Sequence, residues 1–374
     1  MGFKKLIIKK YSVVTFIFYW SVNFAFAQQQ MHVSIAEGAL FEKSKLFHPG
    51  DDQLIQITGR IQIINHVPRL WQPGTYIQAK FKGASCEIFL NDELLWGHSH
   101  NYIEIVIDSL APVRVQTKWK NNIITIVSLD NTVHTLTICK NTEAGIGYLE
   151  LAGISCQKLL KLPAKPARKI ECIGNSITCG AGMDLSEIPC GKGQWYDQHN
   201  AYMSYGARTA RNLHAQWMLS SVSGIGLIHS CCHMPITMPA VFDKVDMRDD
   251  SIQWNFKLYT PDIVTICLGQ NDGIQDSATF CSAYVNFIKT IRSRYANTAI
   301  VCLTSPMADT SLTAVLKKYI SAVVATLNAG GDKQVYKYFF SKQYHRGCGG
   351  HPDLAEHTLM ADELTQFLKT IGNW

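Results

Sequence analysis

Two hydrophobic patterns divide the chain. Between about residues 33 and 154, short runs rich in Ile, Val, Thr and Phe alternate with polar positions, and Gly, Asn, Asp and Pro separate them. Such period-two runs between turn residues predict β-strands. The predicted strands are Leu54–Thr58, Gly74–Phe81, Cys86–Leu90, Tyr102–Ile107, Asn122–Leu129 and His134–Cys139. Asn91-Asp92 and Asn121-Asn122 suit tight hairpin turns. The pattern predicts an antiparallel β-sandwich of the jelly-roll type over residues 28–158.

The second pattern follows a stiff polar linker at residues 159–168, which contains Pro163 and Pro166. Strands and helices then alternate along residues 169–374. The predicted strands are Lys169–Ile173, Trp217–Val222, Asp262–Leu268, Ala299–Leu303 and Val335–Phe340. The predicted helices are Ala201–Leu213, Phe280–Arg294, Leu312–Leu327 and Leu354–Ile371. Strands separated by helices predict a parallel sheet with helices on both faces, an α/β/α domain.

The N-terminus has the pattern of an export signal. Four lysines precede a mostly apolar run at 11–24, and Ala25-Phe26-Ala27 has the small-x-small form of a cleavage site. We therefore predict a signal peptide at 1–27, cleaved after Ala27, and a secreted or periplasmic protein. A single-pass membrane anchor is the alternative, but the run is shorter than the roughly 20 residues a span needs. No later run has that length, so no membrane span is predicted after cleavage.

The net charge of the chain bears on whether a nucleic acid is a partner. The formal net charge is +6 for the whole chain, and removing the four lysines of the signal leaves about +2. No block of like charge occurs. A balance this weak gives no reason to expect a nucleic-acid partner.

The twelve cysteines indicate little about the function of the protein. Cys172, Cys267 and Cys302 lie within apolar strand-like runs, which predicts small buried side chains. Cys231 and Cys232 are adjacent and could each pair with another cysteine, but connectivity cannot be deduced from sequence. No CxxC pair and no Cys/His zinc spacing occurs, so we expect no metal site.

A serine lies where the first strand of the α/β half ends. The strand leads directly into Gly174-Asn175-Ser176-Ile177-Thr178. Ligands of open parallel sheets bind at the carboxyl ends of the strands, so Ser176 should face that crevice. The GxSxG elbow of α/β-hydrolases would need glycine at 178, where this chain has threonine. Taken alone, Ser176 could equally be a simple helix cap.

Three further blocks reach the same edge of the sheet. Ser223-Gly224-Ile225-Gly226 follows the second strand, Gly269-Gln270-Asn271-Asp272 follows the third, and Gly350-His351-Pro352 precedes the last helix. With Ser176, they supply a Ser, a Gly, an Asn and a His in order. On these residues the α/β half resembles an SGNH (GDSL-type) hydrolase.

The resemblance and the chemistry imply the same roles. A serine hydroxyl is a poor nucleophile until a base takes its proton, and His351 can be that base. The backbone N–H groups of Ser176 and Gly224 and the amide of Asn271 can form the oxyanion hole. Glycine at 224 lets the substrate approach the backbone closely. This reaction needs no metal or organic cofactor, so none is expected.

The acid of a catalytic triad is missing from its usual places. Many SGNH enzymes have Asp three residues before the histidine and some have it two before, but here these positions are Cys348 and Gly349. Asp353 follows the histidine too closely to be an obvious partner. We expect a Ser176–His351 dyad with a backbone carbonyl holding the imidazole, rather than a carboxylate from elsewhere in the chain.

The whole pattern resembles carbohydrate esterase family 2. That resemblance rests on a jelly-roll half before an SGNH half, on Gly347-Cys348-x-x-His351-Pro352, on Ser204-Tyr205-Gly206 and on His351-Pro352-x-x-x-x-His357. It implies an esterase that removes acetyl groups from plant-wall polysaccharides such as xylan and glucomannan, often at O-6 of a hexose. Some members of the family work with a dyad.

Other conspicuous residues have two interpretations. Trp195, Tyr196 and Tyr202 lie in or near the loop after Ser176, where aromatic rings could stack on sugars or simply pack in the core. We expect Asp272 and His357 to be structural, bracing a loop and holding a hydrogen bond.

Four alternatives to a plant-polysaccharide acetylesterase stay open. They are an SGNH lipase, a thioesterase, a deacetylase of bacterial polysaccharide, and a glycan-binding protein with an inactive hydrolase half. A lipase predicts a long apolar acyl groove, whereas retention of Ser176, Gly224, Asn271 and His351 together argues against inactivity. Whether the β-sandwich binds glycan or shapes the wall of the active site cannot be decided from its sequence.

Overall fold

The N-terminal domain is built from antiparallel strands, as predicted. A computed structural model describes residues 31–38, 54–248, 252–372 and 374, so the predicted signal peptide at 1–27 lies outside the described residues. The strands of this domain are β1 His32–Glu37, β2 Ile55–Thr58, β3 Ile61–Ile64, β4 Val67–Leu70, β5 Tyr76–Asp92, β6 Tyr102–Ile107, β7 Val113–Gln116, β8 Asn121–Val127, β9 Val133–Lys140 and β10 Leu149–Leu160.

Strand β5 organises this domain. Its residues 76–82 pair with β9, and its residues 86–91 pair with β8. Strands β2 and β10 pair with β5 as well, and all these pairs are antiparallel. The ten strands thus form one continuous sheet around a shared core of buried aliphatic and aromatic side chains, among them Ile77, Phe81, Ile88, Ile105, Ile124 and Ile154.

Two predicted turns of this domain were wrong. Asn91 and Asp92 are the last residues of β5, and Asn121 and Asn122 are the first residues of β8. Asn91 pairs with Asn121 across the strands, and the Asn121 amide donates to the Asn91 side-chain oxygen at 2.8 Å. Asn91 and Asn121 are therefore a bonded pair within the sheet and not part of a turn. Strand β10 also continues to Leu160, into the predicted linker.

The C-terminal domain has the predicted parallel sheet. Its strands are β11 Lys169–Gly174, β12 Gln216–Ser221, β13 Ile263–Cys267, β14 Ala299–Leu303 and β15 Val335–Tyr338. They lie in the order β12-β11-β13-β14-β15, and every pair is parallel. Strand β11 therefore lies inside the sheet, and the chain leaves it at the crevice where a parallel sheet binds ligands.

Helices cover both faces of this sheet. They are α1 Ser176–Cys179, α2 Tyr205–Asn212, α3 Met238–Val241, α4 Ser277–Arg294, α5 Thr310–Ala329 and α6 Leu354–Gly372. Helices α4 and α5 pack in one core cluster, and helices α2 and α6 pack in another. Cys172, Cys267 and Cys302 are buried in the sheet between them, as predicted. Among the described residues, no helix has the length and apolar character that crossing a membrane requires.

The two domains share a buried polar contact. Arg60, in the turn between β2 and β3, donates from Nη2 to Glu171 Oε1 on β11 at 3.0 Å, and both side chains are fully buried. Nearby, the ring of Tyr76 stacks on Trp217 with centroids 3.8 Å apart. A buried ion pair and a buried aromatic stack fix the antiparallel N-terminal domain against the parallel sheet.

Candidate active site

Ser176 is the first residue of α1, directly beyond the end of β11. The Asn175 side chain caps this short helix by accepting the N–H of Ile177 at 3.1 Å, and Gly180 ends it with φ 75°. The turn presents the Ser176 side chain to the crevice at the carboxyl edge of the sheet, where its sequence position predicted it. The residue is 9% exposed.

His351 contacts Ser176 from the segment before α6. Its Nε2 lies 2.9 Å from Ser176 Oγ, and its Nδ1 lies 2.9 Å from the carbonyl oxygen of Cys348. A carbonyl can only accept, so Nδ1 carries the proton and Nε2 has a free lone pair. The histidine is thereby held in the tautomer that can take the proton of the Ser176 hydroxyl.

The electrostatic surroundings of His351 favour the neutral imidazole. Burial lowers the pKa of His351 and outweighs the hydrogen bond that Nδ1 donates to the Cys348 carbonyl, which raises it. A base must be unprotonated to act, so this shift keeps His351 available below the ordinary imidazole pKa of about 6.5.

No carboxylate among the described residues bonds to His351. Asp353 instead accepts the N–H of Glu356 at 2.7 Å and pairs with Arg346 at 3.3 Å. The arrangement is that of a dyad whose histidine is held by a backbone carbonyl.

A disulfide anchors the segment that supplies this carbonyl. Cys348 is bonded to Cys190, and the Cys348 N–H donates to the carbonyl of Gly182 at 2.8 Å. The other ten cysteines are free. Cys231 and Cys232, whose pairing the sequence left open, are among the free cysteines.

A tight turn at residues 223–226, named the oxyanion turn after the role predicted for Gly224, brings Gly224 to the cleft. Gly224 has φ 81°, and a Cβ added there would lie 2.8 Å from Cys231 Sγ, so both the conformation and the space exclude a side chain. The Asn271 amide donates to the Ile225 carbonyl at 2.8 Å and so links the second and third blocks. Asp272 braces the following loop by accepting the N–H groups of 227–229, the structural part expected for it.

Three N–H donors belong to residues that line the cleft at Ser176. The N–H groups of Ser176 and Gly224 make no hydrogen bond with other described residues, and one N–H of the Asn271 amide is not used by Ile225. Ser176, Gly224, Asn271 and His351 all line one cleft of about 840 Å³. The structure thus brings together the four residues that sequence reasoning selected.

The three aromatic candidates lie in different places. Trp195 is 57% exposed and lines the cleft. Tyr196 is only 3% exposed and packs against Tyr102 and Ile146 of the β-sandwich. Tyr202 is buried in the core of the α/β domain against Trp217. Tyr196 and Tyr202 therefore follow the core-packing interpretation, because neither ring reaches the cleft.

His357 has the structural environment that was expected. It accepts the N–H of Tyr205 at 3.0 Å through Nδ1, and its ring stacks on the Tyr205 ring. Complete burial lowers its pKa to about 3, so it stays neutral.

Two residues of the site were missed by the sequence reasoning. Glu143, from the loop after β9, is buried next to Ser223, a residue that lines the cleft, and accepts the Ser223 N–H at 2.6 Å. Its other oxygen lies 3.2 Å from Nε2 of His199, which lines the cleft. Neither residue belongs to a local pattern, since the contacts join positions 80 and 56 residues apart.

Two family models match the chain. Residues 57–166 match the carbohydrate esterase 2 N-terminal model, and residues 172–334 match the GDSL-like lipase/acylhydrolase model. A solved structure of a family two carbohydrate esterase from Clostridium thermocellum, in complex with cellohexaose, is 30% identical with a TM-score of 0.77. The match covers 84% of this chain and 98% of that chain. This chain belongs to carbohydrate esterase family 2.

Curated relatives agree with this membership. The cellulase/esterase CelE of Acetivibrio thermocellus is 31% identical over 321 residues, which are 82% of this chain and 38% of CelE. An acetylxylan esterase / glucomannan deacetylase of Cellvibrio japonicus is 26% identical over 335 residues, covering 86% of this chain and 90% of that protein. The family 2 chain described here is thus a carbohydrate esterase, a carboxylic-ester hydrolase, and it spans about two fifths of CelE.

The described residues of this esterase contain no group of three His, Cys, Asp or Glu side chains arranged to hold a metal ion. That the reaction needs no cofactor stays a prediction, drawn from the chemistry of a serine esterase.

Proposed function

We propose that this esterase removes acetyl groups from plant cell-wall polysaccharide, xylan or glucomannan, with O-6 of a hexose as the candidate position. The observation that carries the proposal is the 2.9 Å contact between Ser176 Oγ and His351 Nε2 within an open cleft. Support for the substrate class comes from the similarity to the Cellvibrio japonicus acetylxylan esterase / glucomannan deacetylase.

In the first half of the proposed reaction, Ser176 Oγ attacks the acetyl carbonyl carbon while its proton passes to His351 Nε2. The carbonyl oxygen becomes an oxyanion, which accepts from the N–H groups of Ser176 and Gly224 and from the Asn271 amide. Collapse of this intermediate breaks the ester bond, and His351 returns the proton to the departing sugar oxygen. The acetyl group is left on Ser176 as an ester.

In the second half, water attacks the acetyl-serine ester. His351 takes the water proton, the same three donors hold the second oxyanion, and acetate leaves as Ser176 regains its proton. The imidazolium formed in each half is stabilised by the Cys348 carbonyl, 2.9 Å from Nδ1. A carbonyl supplies a dipole rather than a charge, so its stabilisation depends on its orientation.

Trp195 is the proposed contact for the sugar. Its indole is 57% exposed at the wall of the cleft and makes a T-shaped contact with the His199 ring, with centroids 5.0 Å apart. An exposed aromatic face suits the apolar face of a pyranose, and the open cleft suits a polymer whose chain continues on both sides.

Export is part of the same proposal. A polysaccharide substrate lies outside the cell, and a signal peptide at 1–27 with cleavage after Ala27 would deliver the enzyme there.

The test compares the protein from Gln28 onward with Ser176→Ala and with Ser293→Ala, which changes an exposed serine on α4. Acetate release is followed on 4-nitrophenyl acetate, acetylated xylan and acetylated glucomannan. We expect release by the wild type and by Ser293→Ala, none by Ser176→Ala, and faster release from polysaccharide than from the small ester.

Two results would contradict the proposal. A folded wild type that releases no acetate would leave a glycan-binding protein with an inactive hydrolase half. Faster hydrolysis of 4-nitrophenyl octanoate than of the acetate would favour the lipase or thioesterase alternative.

A further inference from the structure

The oxyanion turn is held from outside its own domain. Glu143 belongs to the β-sandwich half, within the residues that match the N-terminal family model. Its Oε2 accepts the N–H of Ser223 at 2.6 Å, and Ser223 directly precedes Gly224. The carboxylate is therefore bonded to the peptide unit next to the one whose N–H faces the cleft.

The second carboxylate oxygen of Glu143 fixes a wall of the cleft. Oε1 lies 3.2 Å from Nε2 of His199, and both side chains are almost completely buried. His199 in turn contacts the edge of Trp195, the exposed aromatic residue of the cleft. One carboxylate thus connects the oxyanion turn with the loop that carries Trp195.

The segment that carries Glu143 is itself rigidly held. The fully buried Lys140 donates from Nζ to the carbonyl oxygens of Thr142, at 2.5 Å, and Glu143, at 3.2 Å. The Thr142 hydroxyl donates to the Asn101 side-chain oxygen at 2.6 Å. These bonds, together with the strand β9 that ends at Lys140, fix the position of the carboxylate relative to the β-sandwich.

Glu143 is ionised in this environment. Burial alone would raise its pKa, but the hydrogen bonds from His199 and Ser223 outweigh burial, and the pKa lies below the usual range. An ionised carboxylate is an acceptor on both oxygens and binds N–H groups more strongly than a neutral group does.

We propose that Glu143 is a positioning residue for the oxyanion hole, through which the β-sandwich half sets the orientation of the Gly224 N–H. This inference rests on the proposed function. The opposite side of the turn is fixed within the α/β domain by Asn271, which donates to the Ile225 carbonyl. Each domain therefore fixes one side of the turn, and the hole is complete only when the two domains are packed together.

The test replaces Glu143 with glutamine and, separately, with leucine. Glutamine keeps the size and one acceptor oxygen for the Ser223 N–H, whereas leucine has no acceptor. Glu150→Gln is the matched control, because within the described part of the chain the Glu150 carboxylate bonds only to Arg69 and Asn91 of the same domain. For each variant, kcat and KM on 4-nitrophenyl acetate and the melting temperature are measured beside wild type and Ser176→Ala.

Loss of one oxyanion donor costs roughly 10²–10³-fold in kcat, which sets the scale for a displaced Gly224 N–H. We expect kcat to fall about 10-fold in Glu143→Gln and about 10²-fold in Glu143→Leu, with KM and the Glu150→Gln control unchanged. We expect kcat to decrease in the order Glu, Gln, Leu at position 143. Such partial rescue by a side chain that keeps one acceptor would not arise in folded protein if Glu143 had only a structural role.

The outcomes separate this inference from the proposed function. An inactive but folded wild type would refute the proposed function, and this inference would fall with it. An active wild type whose kcat is matched by both folded variants would refute the positioning role alone. If Glu143→Leu does not fold, the inference is tested by Glu143→Gln alone. An unchanged kcat in Glu143→Gln would overturn it. A rise in KM with kcat unchanged would also overturn it, because Glu143 would then act on substrate binding.

Discussion

Breaking the Cys190–Cys348 disulfide should affect stability and catalysis separately. The bond closes a loop between residues 158 positions apart, for which loss of loop-closure entropy in the unfolded chain corresponds to about 5 kcal/mol at 25 °C. Measured values are typically lower, so we expect the free energy of unfolding to fall by about 2–5 kcal/mol in the double variant Cys190→Ser/Cys348→Ser.

The effect on catalysis comes from the carbonyl of residue 348. The segment between Cys348 and His351 consists of Gly349 and Gly350, with φ 60° and 73°, and glycine restricts the backbone least. The serine variant keeps the carbonyl but loses its covalent anchor. Because misplacing a catalytic group by about 1 Å can cost about 10²-fold, we expect kcat to fall between about 3-fold and 10²-fold even at temperatures where the variant is fully folded.

The assay combines urea unfolding with acetate release from 4-nitrophenyl acetate. Cys281→Ser is the control, since Cys281 is a free cysteine on α4, away from the cleft. A phosphine reductant should lower the activity of the wild type toward that of the double variant and leave the double variant unchanged. If the folded double variant has the kcat of the wild type, the hydrogen bond from the Cys348 N–H to the Gly182 carbonyl is sufficient to hold the segment, and the reasoning is refuted.

Three other predictions concern single groups. Asn271→Ala should lower kcat on 4-nitrophenyl acetate roughly 10²–10³-fold by removing one oxyanion donor, and an unchanged kcat would exclude that role. Burial lowers the pKa of His351, so the imidazole becomes protonated only below the usual histidine pKa. We therefore expect kcat/KM to fall on the acid side with a midpoint below about pH 6.5. A pH profile with a higher midpoint would contradict this. Arg60→Met leaves Glu171 as an unpaired buried charge and should cost about 3–5 kcal/mol in urea unfolding, with partial recovery when Glu171→Gln is added. If Arg60→Met lowers the free energy of unfolding by no more than the loss of an exposed salt bridge does, about 1 kcal/mol, the buried pair does not have this role.

The sequence predicted those parts of the site that depend on one regular element each. Ser176, Gly224 and Asn271 each follow a strand of a parallel sheet, and all such strands end at the same edge, so their order along the chain implies their proximity. The strands of that sheet are mostly apolar runs, and helical patterns separate them. Their first and last residues can therefore be predicted from the sequence. The predicted limits of β14 agree with the structure residue for residue.

What could not be predicted depends on contacts between distant segments. Gly83 lies between the predicted strands Gly74–Phe81 and Cys86–Leu90, which the structure joins as the single strand β5. Its φ is 132°, and opposite it β10 has an irregularity between Cys156 and Lys158. A glycine in a strand pattern is compatible with a bend or with an end, and only the partner strand decides between them. The partner of Cys348, 158 residues away, is equally invisible in local sequence.

The missing triad acid explains why these long-range contacts lie at the site. An ionised carboxylate attracts an imidazolium from a range of directions, because charge acts in all of them, whereas a carbonyl dipole stabilises it only when aimed at Nδ1. A site that replaces the acid by the Cys348 carbonyl therefore needs the carbonyl held in place, and the disulfide and the Gly182 contact hold it. The same logic applies to the oxyanion hole, whose neutral N–H donors act only from fixed positions. Behind that hole the ionised Glu143 bonds to the Ser223 N–H and so fixes a donor, while Ser176 and His351 supply the reacting atoms.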